Sequence, residues 1–130
     1  MPVAIDTSVL VAGEKLGDLG ALLARHPGPY YVPAHAAAEF LVGIHPPIRD
    51  DLRERARRLY DSTIKTMVDS FEEPDAAQLA ALNAELRRTG QQMKFYDAAI
   101  AATALARGDS LLCADGDFDR LADRIELLKP

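Results

Sequence analysis

The chain predicts an α/β layer fold with a largely parallel central sheet of about four to five strands flanked by helices. Three observations lead there. The short runs Val3-Ala4-Ile5 and Leu111-Leu112-Cys113-Ala114 are apolar in succession, as in strands covered on both faces. Stretches with helical periodicity separate the strand-like runs. One of these stretches, residues 96–107, is apolar all round and must be buried.

Taken in order, residues 2–5 read as the first strand. Asp6, Thr7 or Ser8 can cap a helix after it, with residues 9–12 as its first turn and Gly13 as its stop. Leu16, Leu19, Leu22 and Leu23 place a helix over 16–25. His26-Pro27-Gly28-Pro29 is a loop, and Tyr30-Tyr31-Val32 is a strand of good β-formers closed by Pro33. Residues 34–44 form a helix ended by His45-Pro46-Pro47. Residues 48–62 form a charged helix whose stripe is Leu52, Ala56, Leu59 and Tyr60. Residues 66–71 are a strand. Pro74 and Asp75 start the next helix, which runs to Arg88 before Thr89-Gly90. The buried helix 96–107 is capped by Gly108. Residues 110–114 are a strand, 117–122 a short helix or turn, and 125–128 the last strand. With no repeat, low-complexity tract or linker, residues 1–130 are expected to form a single domain.

The 130 residues are long enough for a real core, and 48% hydrophobic content excludes a disordered tail. No apolar run approaches the ~20 residues of a membrane span. The start, Met1 to Asp6, lacks a basic region and a cleavage pattern, so no signal peptide is expected. The single cysteine, Cys113, permits no intramolecular disulfide and fits a reducing, cytoplasmic setting. Without a Cys/His cluster, structural zinc is not expected. The net charge of −5 argues against nucleic-acid binding by bulk charge, but not against an enzyme with local basic groups and a metal.

Asp6, Glu39, Asp97 and Asp115 are embedded in core-like sequence. Burying a carboxylate costs several kcal/mol unless a partner compensates it, and those runs contain no Lys or Arg. Each acid alone has an ordinary reading: Asp97 as an N-cap, Asp115 as the start of a turn with Gly116, any of them as a surface residue. Together they have a more economical one. Asp6 and Asp115 follow strands, where α/β sites form. Glu39 and Asp97 lie near helix starts, where the macrodipole favours an anion. Converging carboxylates raise one another's pKa, and a hard cation, Mg²⁺ or Mn²⁺, reverses that. Such a site supports metal-assisted attack of water on a phosphodiester.

Asp6-Thr7-Ser8, Ala38-Glu39-Phe40, the stretch Tyr96-Asp97-Ala98-Ala99-Ile100-Ala101-Ala102 and Leu112-Cys113-Ala114-Asp115-Gly116-Asp117-Phe118 resemble the PIN-domain family. More narrowly they resemble VapC-type toxins of bacterial toxin–antitoxin pairs. The resemblance spans essentially the whole chain and is most specific in its last two motifs. It implies a PIN-like fold and a Mg²⁺- or Mn²⁺-dependent endoribonuclease. It also implies a homodimer held inactive by a cognate VapB-type antitoxin, with RNA as substrate. By position, Asp6 and Asp97 are the principal metal ligands, Glu39 and Asp115 complete the catalytic cluster, Ser8 holds Asp6, and Asp117 is a fifth acid nearby. The family often has Thr or Ser where this chain has Cys113; without a base beside it, the thiol is read as core packing.

The remaining residues have bland readings. His26, His35 and His45 are expected at the surface or as caps. Arg53, Arg55, Arg57 and Arg58 are expected as a solvated helix face. Arg87, Arg88 and Lys94 stand open between a solvated role and guiding a phosphate backbone. Phe95 and Tyr96 can stack on a base, but core burial is expected. Two other classes compete. A haloacid-dehalogenase-type phosphatase needs a second Asp where Ser8 stands, and a receiver domain needs an early acidic pair that is missing. A PIN-like module retained only for binding or regulation is the non-catalytic alternative, against which the intact acid set argues.

Overall fold

The structure is a computed structural model that describes residues 2–45 and 48–130. Five short strands form its sheet: β1 (Val3–Ile5), β2 (Tyr30–Pro33), β3 (Val68–Asp69), β4 (Ser110–Leu112) and β5 (Leu127–Leu128). Six helices connect and cover them: α1 (Thr7–Leu16), α2 (Leu19–Leu23), α3 (Ala34–Gly43), α4 (Asp50–Ser62), α5 (Glu73–Arg88) and α6 (Phe95–Arg107). The strand order is β3-β2-β1-β4-β5, and every pairing is parallel. The α/β fold with a parallel sheet is therefore the one the alternation predicts.

This order positions the site. The chain builds outward from β1 to β2 and β3, then returns across the sheet to β4 and β5. The reversal falls between β1 and β4, where α/β sheets open a crevice beyond their strand ends. Ile5 pairs with Leu112, so both strands end level, and the Asp6 amide donates to the Leu112 carbonyl (2.9 Å). The first acid is thereby fastened beside the loop that carries the fourth.

Burial explains why these strands read as unbroken apolar runs. Ala4, Ile5, Leu111 and Leu112 are fully buried. Helix α6 is buried from Ala98 through Ala104, and its small side chains let it lie close to its neighbours. Leu82 and Leu86 of α5 complete that layer. Gly108 ends α6 in the left-handed region (φ 66°), returning its amide to the Ala104 and Leu105 carbonyls. Among the described residues, no helix is long and apolar enough to cross a membrane.

Several boundaries differ from the expected ones. Gly13 is not a stop; α1 runs through it to Leu16. A Cβ at Gly13 would stand 2.7 Å from Leu19 Cδ1, so the glycine permits close approach of the next helix. The stop is Gly17, at φ 76°. The helix expected over 16–25 shrinks to α2, capped by the Asp18 carboxylate, which accepts from the Ala21 amide (3.0 Å). The strand expected over 66–71 shrinks to the two residues of β3; its first two residues belong to a 3₁₀ turn, Ile64–Met67. There the Thr66 hydroxyl donates to the Thr63 carbonyl (2.6 Å), one of the local bonds by which threonine competes with a strand ladder. Helix α4 starts at Asp50 because Arg49 is extended (ψ 144°). The last two strands are each shortened to the residues that pair. Of the expected helix end at His45-Pro46-Pro47, the two prolines lie outside the described residues.

Candidate active site

The chain end of β1 delivers Asp6 as the N-cap of α1. Its Oδ2 accepts from the Ser8 amide (3.1 Å) and the Ser8 hydroxyl (2.6 Å). The same hydroxyl accepts from the Ala114 amide (2.9 Å). Ser8 thus ties the loop after β1 to the loop after β4. Asp6 is only 3% exposed, and its other oxygen, Oδ1, is buried with no hydrogen-bond partner. An unpartnered buried carboxylate oxygen is costly. Burial pushes the Asp6 carboxyl above the usual carboxylate range; the Ser8 bonds oppose this, and Asp115 adds to it.

The other acids gather around Asp6. Asp6, Glu39, Asp97, Asp115 and Asp117 all line one crevice of about 570 Å³. Asp97 sits in the first turn of α6, where the helix dipole favours its charge. Its pKa is nonetheless pushed up to about 6, first by burial and then by Asp6, Glu39, Asp117 and Asp115. All four neighbours act on it at once, which is what convergence means electrostatically. Asp115 lies in the loop after β4, with Oδ1 accepting from the Asp117 amide (3.1 Å). Lys129 clips this loop from outside by donating to the Asp115 carbonyl (2.5 Å).

Glu39 joins the crevice, but not by the expected route. It is the sixth residue of α3, beyond the first turn where the dipole acts. Geometry rather than the dipole places it: Thr7 at the start of α1 donates to the Ala36 carbonyl (3.4 Å) and draws α3 against α1.

Among the described residues, no three of these side chains stand together as a ready-made ligand set for a metal. Two features nonetheless suit a hard divalent cation: the partnerless Asp6 Oδ1, and a cluster whose charge raises the pKa of its own member. A cation with oxygen ligands removes both penalties.

Other readings from the sequence fare differently. Cys113 is fully buried in the core, and burial pushes its thiol up. His26 bonds the Lys129 carbonyl (2.7 Å) at the surface. His35 is not a cap or free surface group; its ring sits edge-on between Phe71 (4.5 Å) and Phe95 (5.5 Å), and burial lowers its pKa. Arg55 stays exposed on α4, as expected, and bridges to Glu14 of α1 (2.6 Å). Phe95 is not core: it opens α6, where the helix emerges from its neighbours, and is 59% exposed. Two cations near the crevice have no mark in the sequence: Lys15 lines it, and Arg120, with Lys94, flanks an adjoining cleft that shares Asp97 and Asp117. Only the fold brings them there; no local pattern singles them out.

The family model of the PIN domain matches residues 3–124. No curated protein matches the chain. Among solved structures, VapBC2 from Rickettsia felis, bound to a DNA fragment from its promoter, aligns with a TM-score of 0.81 at 16% identity, covering 100% of this chain and 99% of that one. VapBC-5 from Mycobacterium tuberculosis, a toxin–antitoxin member, aligns at 0.80 with 21% identity and covers 100% of both chains. VapC20 of Mycobacterium tuberculosis, a sarcin-ricin loop cleaving toxin, aligns at 0.69 with 21% identity, over 95% and 97%. At these identities the likeness is one of fold.

Proposed function

The chain belongs to the PIN-domain family, and on that premise we propose that it is a divalent-metal-dependent endoribonuclease, the toxin of a VapBC-type pair. The observation that carries this reading is Asp6. One of its oxygens caps α1, and the other is buried without a partner in a crevice it shares with Glu39, Asp97 and Asp115. A chain that merely needed the cap has no use for the three further acids.

Asp6 and Asp97 are the principal ligands in this reading, with Glu39 and Asp115 completing the cluster and Asp117 orienting a water or a basic side chain. When bound, Mg²⁺ or Mn²⁺ supplies a lowered water pKa and charge neutralisation at the phosphate. The protein's part is to hold the acids still. Ser8 fixes Asp6 and the Asp115 loop together, and Lys129 braces that loop through its backbone. The likeness in fold to VapC20, a toxin that cleaves the sarcin-ricin loop, supports RNA as the substrate class.

The toxin–antitoxin neighbours support a cognate VapB-type antitoxin as partner; a homodimer acting in the cytoplasm belongs to the same reading. A second, apolar groove fits such a partner. It lies between α1, α3 and α4, includes Phe40, Ile44, Leu52 and Ala56, and shares Glu39 and Lys15 with the acid crevice. An antitoxin arginine beside the acids would be attracted as a metal is.

The deciding experiment is cleavage of mixed RNA with EDTA, then with Mg²⁺ or Mn²⁺ restored. Activity is expected only with metal, and Asp97→Asn is expected to lose roughly a hundredfold or more while staying folded, beyond the loss typical of outer-shell partners. Cutting that survives full chelation, or a wild-type rate in Asp97→Asn, refutes the mechanism. A folded wild type that cuts nothing with either metal favours the non-catalytic module.

A further inference from the structure

Among the described residues, Phe95 is the aromatic side chain among the exposed large hydrophobics. It is an aromatic residue 59% exposed at the first position of α6. Its ring makes T-shaped contacts with His35 at 5.5 Å and with Tyr96 at 5.8 Å. His35 is in turn held by Phe71 at 4.5 Å. The exposed ring is therefore braced rather than loose.

Its position relative to the acids gives the exposure a meaning. Beyond Asp97 and Asp117 the crevice continues into a cleft of about 290 Å³, flanked by Lys94 and Arg120. That cleft shares Gln92 and Met93 with a third depression, lined by Arg87 and Phe95. Three connected depressions thus run from the acids to the exposed ring. Arg120 is anchored across the path, donating Nη1 to the Gln91 and Gln92 carbonyls (3.1 and 3.2 Å). Among the described residues, Arg87, Lys94 and Arg120 enter no ion pair. In a chain of net charge −5, unpaired cations spaced along a groove that ends on an aromatic face match a single nucleic-acid strand: backbone charge along the path and a base at its end.

We propose that Phe95 is a stacking platform for a base of single-stranded RNA whose backbone is led from the acid cluster past Arg120, Lys94 and Arg87. The proposal rests on the ribonuclease reading and adds the form of substrate that the site accepts. Stacking requires an unpaired base, so a single strand is held and a duplex is not. Phe95 touches no reacting atom; it sets where along the strand the cut falls.

The test uses the full chain and a fluorescein-labelled single-stranded RNA of mixed sequence, with affinity measured in EDTA so that nothing is cut. Phe95→Ala is expected to weaken binding roughly tenfold to a hundredfold, the loss of one base–aromatic stack. Phe95→Trp is expected to keep it. A fully paired RNA of the same length is expected to show no difference between Phe95→Ala and wild type. In the presence of Mn²⁺, Phe95→Ala is expected to raise KM with kcat retained. Wild-type affinity in Phe95→Ala overturns the platform while leaving the nuclease reading intact. A wild type that cuts nothing, but whose affinity still falls on Phe95→Ala, ends the nuclease reading and keeps the platform. If Phe95→Ala instead halves the mass in solution and leaves RNA affinity unchanged, the ring is a contact between protein copies and the proposal fails.

Discussion

Asp6 and Asp75 are buried to the same degree, 3% and 2% exposed, yet the chain treats them in opposite ways. Asp75 accepts from the Glu72 amide (2.9 Å) in a capping box and from Arg107 (3.2 Å). That guanidinium also reaches Asp69 (3.1 Å) and the Ser70 carbonyl (2.9 Å), and lies 4.9 Å over the Tyr31 ring. Asp6 has a cap on one oxygen and nothing on the other. Both carboxylates cap a helix, but only Asp75 also receives a cation from its own chain. The partnerless Asp6 oxygen is the deficit that the proposed metal would meet.

The comparison breaks most visibly under substitution. Asp75→Ala strands Arg107 without its buried partner and removes a cap. Losing one member of a fully buried pair costs 3–5 kcal/mol, but Arg107 is 25% exposed, so about 2 kcal/mol is expected. Asp6→Asn keeps a capping oxygen and removes the uncompensated charge, so its metal-free melting temperature is expected to equal or exceed wild type. Mg²⁺ or Mn²⁺ is expected to raise the melting temperature of wild type and of Asp75→Ala. The gain is ~2.7 kcal/mol at a hundredfold excess over Kd, and Asp6→Asn should lose it. If Asp6→Asn instead melts as low as Asp75→Ala and metal stabilises all three proteins alike, the two aspartates do the same job.

A smaller effect comes from pH. The folded Asp97 carboxyl titrates near 6, above its ordinary 3.8. Between these values the folded state holds more proton than the unfolded one. The contribution to stability is therefore full below about 3.8 and is lost as pH rises through about 6. In EDTA, acidifying from neutrality toward pH 5 is expected to favour the folded protein through this group. With metal the sign reverses, because ligation needs the ionised carboxylate. Melting curves of wild type and Asp97→Asn across this range, with and without Mn²⁺, check both arms. Parallel curves for the two proteins would mean that neither burial nor the neighbouring acids raise the Asp97 pKa.

The sequence carried the acid half of this contrast better than the basic half. Asp6 and Asp115 stand out because each ends an apolar run, Asp97 because it opens one and Glu39 because it interrupts one, and that signal is local. The strand alternation is local too, since buried parallel strands leave no polar residues to blur them. What failed depended on distance. Arg107 meets Asp75 across 32 positions, and Arg120 meets the Gln91 carbonyl across 29, so neither partnership has a spacing signature. Phe95 looked like core because an all-apolar helix has no polar face to mark where burial ends. Gly13 looked like a stop because the requirement it serves, the approach of Leu19, belongs to a neighbouring helix.

The smallest effect tests how a cation behaves at the rim of the crevice. Lys129 approaches the acids, yet it bonds the Asp115 carbonyl (2.5 Å) and, more weakly, Cys113 Sγ (3.8 Å), not a carboxylate. It fixes the loop without consuming the charge, which preserves the distinction between the two aspartates. Lys129→Met is expected to lower kcat/KM about threefold to tenfold, less than the tenfold to hundredfold seen when a metal ligand's own hydrogen-bond partner is removed. The side chain is exposed, so the melting temperature without metal should hardly move. Lys129→Arg should recover most of the loss, and the Mn²⁺ concentration needed for half activity should rise in Lys129→Met. Should that concentration stay fixed while only stability falls, Lys129 merely fastens the end of the sheet. The Asp115 loop would then be tied to the start of α1 through Ser8, which accepts from the Ala114 amide.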